Sequence, residues 1–181
     1  SGLSPGISSL TYEDSLQVGY LESKVYSDNK SLIANLHNME NELIAKDINN
    51  VSKNRHNLSL KYIDNNKTMQ GYMLAYEGKY DGKPIIYIAD LVSTRTNPMI
   101  GGKLVMEFIN LYKHYYSDKN NLIPILAQAR ETTGYLLIKN GLNNFSKKLK
   151  KNVSVHELKT YQVGKDTMHT MLIQISELQS Q

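Results

Sequence analysis

Val92-Ser93-Thr94-Arg95-Thr96-Asn97-Pro98-Met99-Ile100-Gly101-Gly102-Lys103-Leu104-Val105 joins an apolar run to an amphipathic one. Upstream, Ile85 to Val92 is short, rich in branched residues and bounded by turn chemistry, as a buried strand is. Downstream, Leu104, Val105, Phe108, Ile109, Leu111, Tyr112 and Tyr115 line one side of a helix to about Tyr116. Two glycines at a helix start allow another group to approach the backbone closely. N–H groups of the first turn then point at an anion, helped by the helix dipole. Arg95 and Lys103 add charge at the rim. By itself the stretch is either an ordinary tight connection or a cradle for phosphate.

Residues 10–53 carry helical signals on the amino-terminal side. Asp14 or Ser15 can cap a helix through Leu16, Val18, Leu21 and Val25, and Asp28 or Asn29 can start a second through Leu32, Ile33, Leu36, Met39, Leu43 and Ile44. A short strand is expected near Leu10-Thr11-Tyr12. The period changes at Asn57: Leu58, Leu60 and Tyr62 alternate, and Asp64-Asn65-Asn66-Lys67 supplies a turn. Met69 to Tyr76 reads as a strand and Glu77 to Pro84 as a turn, so with Ile85 to Val92 three runs form an antiparallel meander. On the carboxyl side come a strand at Leu122 to Ala129, a helix from about Glu131 to Gly141, and two strands, Val153 to Val163 and Thr167 to Ile175. The fold class expected is therefore a mixed α/β layer, a single domain over residues 10–181. Its ligand gap should lie at the carboxyl ends of the central strands.

The 181 residues contain no cysteine, which excludes disulfides, thiolate metal sites and cysteine nucleophiles. Lys plus Arg exceeds Asp plus Glu by 21 − 17 = 4, a mild positive balance that fits an anionic ligand better than a dedicated nucleic-acid surface. No apolar run approaches the ~18 residues of a membrane span. Residues 1–9, beginning Ser1-Gly2-Leu3-Ser4-Pro5-Gly6, read as a tag remnant or flexible lead-in, and the start at Ser1 suits a domain cut from a longer polypeptide. A cytoplasmic place of work is the corresponding expectation. His37, His56, His114, His156 and His169 show no metal-ligand spacing, and no Gly-x-Ser-x-Gly or Walker loop occurs. No metal is expected.

The order helix pair, three-strand meander, glycine loop, long helix, strand, short helix and final hairpin resembles the GCN5-related N-acetyltransferase (GNAT) family over about residues 10–176. Three stretches carry the likeness. Met69-Gln70-Gly71-Tyr72-Met73-Leu74 looks like that family's third strand, Ile100-Gly101-Gly102-Lys103-Leu104-Val105 like the end of its acetyl-CoA loop, and Tyr135 to Gly141-Leu142 like its short helix. In the loop, Gly101 takes the place of the family's final Gly, while Met99 stands for the first Gly and Thr96 for the Arg or Gln, with Arg95 one step early. The resemblance implies a mostly antiparallel sheet with helices on both faces and acetyl-CoA as cosubstrate. It implies cofactor contacts from Leu91, Val92, Ser93, Asn97, Met99, Ile100, Gly101, Gly102, Lys103 and Thr133.

Acetyl transfer to an amine needs a base for the amine, a polarised carbonyl and a proton for the departing thiolate. The family places a carboxylate base on or near its fourth strand, which makes Asp90 the implied base here and Glu131 the second candidate. Its acid is a Tyr on the short helix. Leu137 fills the usual slot, four residues before Gly141, and Tyr135, roughly 200° round the helix, is the nearest phenol. The expected function is N-acetylation of a primary amine on a protein, a small molecule or aminoacyl-tRNA. A catalytically degenerate GNAT-like module of a larger protein, binding coenzyme A or another protein, is the alternative, and the basic run Lys147 to Lys151 leaves an RNA-binding role as a third.

Overall fold

The computed structural model describes residues 4–25, 58–94, 97, 99–116, 123–130, 134–163 and 166–177. Seven strands form one sheet: β1 (Ile7–Ser9), β2 (Leu60–Ile63), β3 (Met69–Tyr80), β4 (Lys83–Ser93), β5 (Ile125–Arg130), β6 (Lys151–Val163) and β7 (Asp166–Glu177), in the order β1-β2-β3-β4-β5-β7-β6. Every adjacent pair is antiparallel except β4 and β5. The meander over β2, β3 and β4 is as the alternation indicated. Its second turn is tighter than expected. The strands extend to Tyr80 and Lys83, and Asp81-Gly82 alone turns the chain with φ of 52° and 75°, the positive values that a two-residue hairpin requires.

Helices cover both faces. On one side α1 (Ser15–Val25) sets Val18 and Leu21 against Tyr72, Leu74 and Val92 of the sheet. Glu22 of this helix accepts a hydrogen bond from the buried Tyr72 hydroxyl. Asp14 ends the short 3-10 turn Tyr12–Asp14 before it, capping Thr11 N at 2.7 Å and pairing with Lys61 Nζ at 2.8 Å. On the other side α2 (Met99–Tyr116) and α3 (Gly134–Leu149) bury Leu104, Phe108, Ile138 and Phe145 against Met73, Ile88, Ile125 and Ile173. The second helix expected after Asp28 lies outside the described residues.

Two readings change. The early strand is Ile7–Ser9 rather than residues 10–12, so part of the supposed lead-in belongs to the sheet: Ile7 is buried and pairs with Tyr62. The helix expected to stop at Gly141 runs on to Leu149. Gly141 is a point of close packing, since a Cβ there would stand 2.6 Å from Val105 Cγ1 and 2.9 Å from Ile109 Cδ1. The helix ends at Lys150, in the left-handed region with φ of 54°. The basic run Lys147 to Lys151 is accordingly a helix end leading into an edge strand.

Candidate active site

The two parallel strands at the centre separate. β4 and β5 pair only as Ile86↔Ile125, Tyr87↔Leu126 and Ile88↔Ala127. Beyond that point β4 stays with β3, as Leu91↔Met73 and Ser93↔Gly71, while β5 stays with β7, as Gln128↔Thr170 and Arg130↔Met168. The carboxyl ends of the strands thus bound a wedge.

A bulge sits at its throat. Leu74 pairs with Asp90 and Ala75 with Ile88, so Ala89 is an extra residue on β4. Strict alternation would send Asp90 to the same face as Ile88, the α2–α3 core. The extra residue returns it to the face of Leu74 and α1, and sends Leu91 to the other. The half-buried Asp90 therefore stands at the opening of the wedge on the α1 face.

The loop after β4 delivers the start of α2 to the carboxyl end of that strand, against Gly71 and Ser93. Gly71 allows the close approach: a Cβ on it would stand 2.7 Å from Ile100 Cγ2. Asn97 caps the helix, its Oδ1 accepting from Met99 N at 3.0 Å and its carbonyl from Ile100 N at 3.3 Å. Gly101 is covered by Leu137, with Ser93 Oγ beside it, whereas a Cβ on Gly102 would meet nothing within 4 Å. Lys103 lies over the Tyr62 ring at 5.7 Å, on the β2 side of the helix. Met99 is exposed, Ile100 is buried, and Val92 packs under α1.

Tyr135 faces elsewhere. Its ring stacks on buried His169 with centroids 4.3 Å apart, and its hydroxyl donates to Glu157 Oε1 at 2.8 Å. Lys139 Nζ donates to the same phenol at 3.2 Å, and His169 Nδ1 is 3.1 Å from Glu157 Oε1. Leu137, two residues on and roughly 200° round the helix, packs on Gly101 instead. The carboxyl end of β4 thus carries Asp90 on the α1 face and Leu91 and Ser93 on the face of the Gly101-Gly102 turn, while the Tyr135 side chain is engaged by His169 and Glu157. Arg95, Thr96, Pro98, Glu131 and Thr133 lie outside the described residues.

Two site features escaped the sequence reading. Leu137 is the residue that packs on the loop, and its position four residues before Gly141 was the available signal. Tyr161 of β6 is the other. Burial raises its phenol pKa, and the charge of Asp90 raises it further, which puts the two in electrostatic reach.

No protein-family model matches the sequence, and no curated protein matches it. Solved structures do match in shape. The diaminobutyrate acetyltransferase EctA of Paenibacillus lautus, solved with L-2,4-diaminobutyric acid and coenzyme A, superposes with a TM-score of 0.57 at 9% identity, covering 99% of each chain. Arylalkylamine N-acetyltransferase 2 of Aedes aegypti gives 0.57 at 11% identity over 92% of this chain and 96% of its own. Among the described residues no helix is long and apolar enough to cross a membrane. With its seven-stranded sheet parted between β4 and β5 and helices on both faces, this chain has the GNAT acetyltransferase fold.

Proposed function

We propose that this chain is an acetyl-CoA-dependent N-acetyltransferase that acylates a primary amine by direct attack within a ternary complex. The observation that supports it is the wedge, where the Ala89 bulge sets a half-buried carboxylate at the diverging strands, three residues before Ser93, whose Oγ lies by the first turn of α2. The residues fit the cosubstrate. Gly102 leaves open space at a helix start, where N–H groups and the helix dipole favour a diphosphate. Past Ile88 the edge of β4 facing β5 has left the ladder, so Leu91 to Ser93 can offer main-chain groups to an extended amide arm. Acetyl-CoA supplies the activated acyl group.

The chain's own part is to bind, orient and move protons. Asp90 takes a proton from the acceptor ammonium, directly or through water. The amine nitrogen forms a bond to the acyl carbon, the carbon–sulfur bond breaks, and the departing thiolate takes up the second proton that the nitrogen gives up on becoming an amide. Holding donor and amine in one wedge contributes by orientation. Acetyl-CoA as donor implies an intracellular reaction.

A module that binds coenzyme A without turnover is the second reading. It is favoured by one observation, the apolar Leu137 facing the loop where the resemblance led us to expect a phenol. Calorimetry with coenzyme A and an acetyl-CoA consumption assay over a panel of amines separate the readings. Binding with turnover supports the transferase, binding with no turnover supports the module, and no heat at millimolar coenzyme A removes both.

A further inference from the structure

β6 is the last strand of the sheet, and no strand among the described residues pairs with its outer edge. An open edge of 13 residues is a template for another strand unless something spoils it. In its second half something does. Glu157 pairs with Met171 and Lys159 with Thr170, so Leu158 is an extra residue that bends the strand. The first half stays regular. From Lys151↔Glu177 to Glu157↔Met171 the register runs without a break, and Lys150, in the left-handed region, bounds it at the other end.

This regular stretch is Lys151-Asn152-Val153-Ser154-Val155-His156-Glu157. Val153, Val155 and Glu157 pair with Ile175, Ile173 and Met171 of the α2–α3 core, and Lys151 shares their face by alternation. The burial follows: Lys151, Val153 and Val155 are half-buried, whereas Asn152, Ser154 and His156 are exposed. Laid antiparallel on itself about Ser154, the stretch is self-complementary. Lys151 meets Glu157, Asn152 meets His156, and Val153 meets Val155. Each pair joins residues of one face, as two sheets joined edge to edge about a two-fold axis require. Glu157 is exposed and engages Tyr135 and His169 through Oε1.

Neighbouring registers lose this match. An axis at Val155 sets Lys151 against Lys159 and carries the pairing across the bulge. An axis at Val153 sets Lys151 against Val155, and Glu157 against Leu149 at the end of α3. The midpoint of the regular stretch and the midpoint of its charge pattern therefore coincide at Ser154.

We propose that two copies of this chain pair antiparallel along residues 151–157 of β6, with Ser154 on the two-fold axis, to make one continuous sheet. Main-chain hydrogen bonds join the edges, and the two Lys151–Glu157 pairs fix the register. Each half-buried valine gains the partner's valine at the rim. The inference concerns assembly and stands whether or not the chain transfers an acetyl group.

Sedimentation of the full chain over a concentration series is expected to show a monomer–dimer equilibrium. Lys151→Glu and Glu157→Lys each set like charges opposite one another at both pairs. Each should raise the dimer dissociation constant by about tenfold or more, and mixing the two variants should restore association, because the mixed dimer again opposes Lys and Glu. Ser154→Cys reads the axis in a chain with no other cysteine. Directly opposed residues have Cα atoms about 4.5–5.5 Å apart, within disulfide reach, so mild oxidation should crosslink this variant. Asn152→Cys is the control, since its two copies would stand about 14 Å apart along the strands. A parent that stays monomeric overturns the proposal and leaves the edge to a strand of another protein or to solvent. A dimer that neither charge variant weakens, or one that crosslinks as readily through Asn152→Cys as through Ser154→Cys, overturns it as well.

Discussion

Leu137 lies so close over Gly101 that a Cβ on the glycine would stand 2.6 Å from Leu137 Cδ1. This contact ties the first turns of α2 and α3 together at the mouth of the wedge, and it makes the glycine a packing requirement as well as a backbone one. Gly101→Ala is expected to cost about 1–3 kcal/mol through overpacking, or a few degrees of Tm in a domain of this size. Adding Leu137→Ala should recover part of the loss, with a coupling of about 1 kcal/mol. Thermal unfolding of the parent, both single variants and the double variant measures it, and strict additivity would contradict the contact.

Gly102, one residue on, gives the opposite result. Its missing Cβ faces open space, so Gly102→Ala should leave Tm unchanged or raise stability by up to about 1 kcal/mol, the helix preference of Ala over Gly. The added methyl stands where a diphosphate would approach the helix start. Coenzyme A affinity should fall by about tenfold, near 1.4 kcal/mol. Titration calorimetry beside a melting curve reads both effects, and unchanged affinity would remove Gly102 from the cradle.

Asp90 and Tyr135 separate chemistry from packing. Asp90→Asn should lower kcat by about 100-fold, the usual worth of a positioned base, with the Kd of coenzyme A unmoved. Tyr135→Phe deletes a hydroxyl that donates to Glu157. It should lower stability by about 1 kcal/mol and reduce turnover far less than Asp90→Asn. The reverse ranking in steady-state kinetics would return Tyr135 to the reaction centre.

Tyr112 and Tyr116 define the alkaline limit of the fold. Tyr112 donates to Ile123 O at 2.7 Å, and Tyr116 donates to Glu77. Burial raises both phenol pKa values above the ordinary range, with the Glu77 hydrogen bond and charge adding to the shift at Tyr116. The folded chain therefore holds protons that the unfolded chain releases near pH 10. Their stabilisation is complete below that value and declines as pH rises above it, since unfolding then releases protons. Tm followed from neutral pH to beyond pH 10 should show this fall, and Tyr116→Phe should flatten it.

Local chemistry explains which parts were legible. Alternation at Leu58, Leu60 and Tyr62, the Asp81-Gly82 turn and the apolar stripe from Leu104 to Tyr112 are short-range signals, and the sheet and helices follow them. Gly141 misled because a glycine that ends a helix and one that admits a neighbouring helix look alike until Val105 and Ile109 are in place. The bulges at Ala89 of β4 and at Leu158 of β6, where Glu157 pairs with Met171 and Lys159 with Thr170, were invisible for a related reason. A bulge is a property of two strands in register, and a single strand's alternation carries no trace of it. The face to which the Ala89 bulge turns Asp90 was thus beyond reach of the one-dimensional pattern.

The order of β5, β7 and β6 bears on how the polypeptide is made. The segment Ile125–Arg130 gains its second neighbour only when Met168 to Ile173 arrive, after all of β6 has been synthesised. Until then a nascent chain exposes the apolar edge at the centre of its sheet, a state prone to association with other chains. Ribosome-bound fragments ending before β7 should accordingly resist compaction and bind holdases, and release from them should coincide with emergence of the last hairpin.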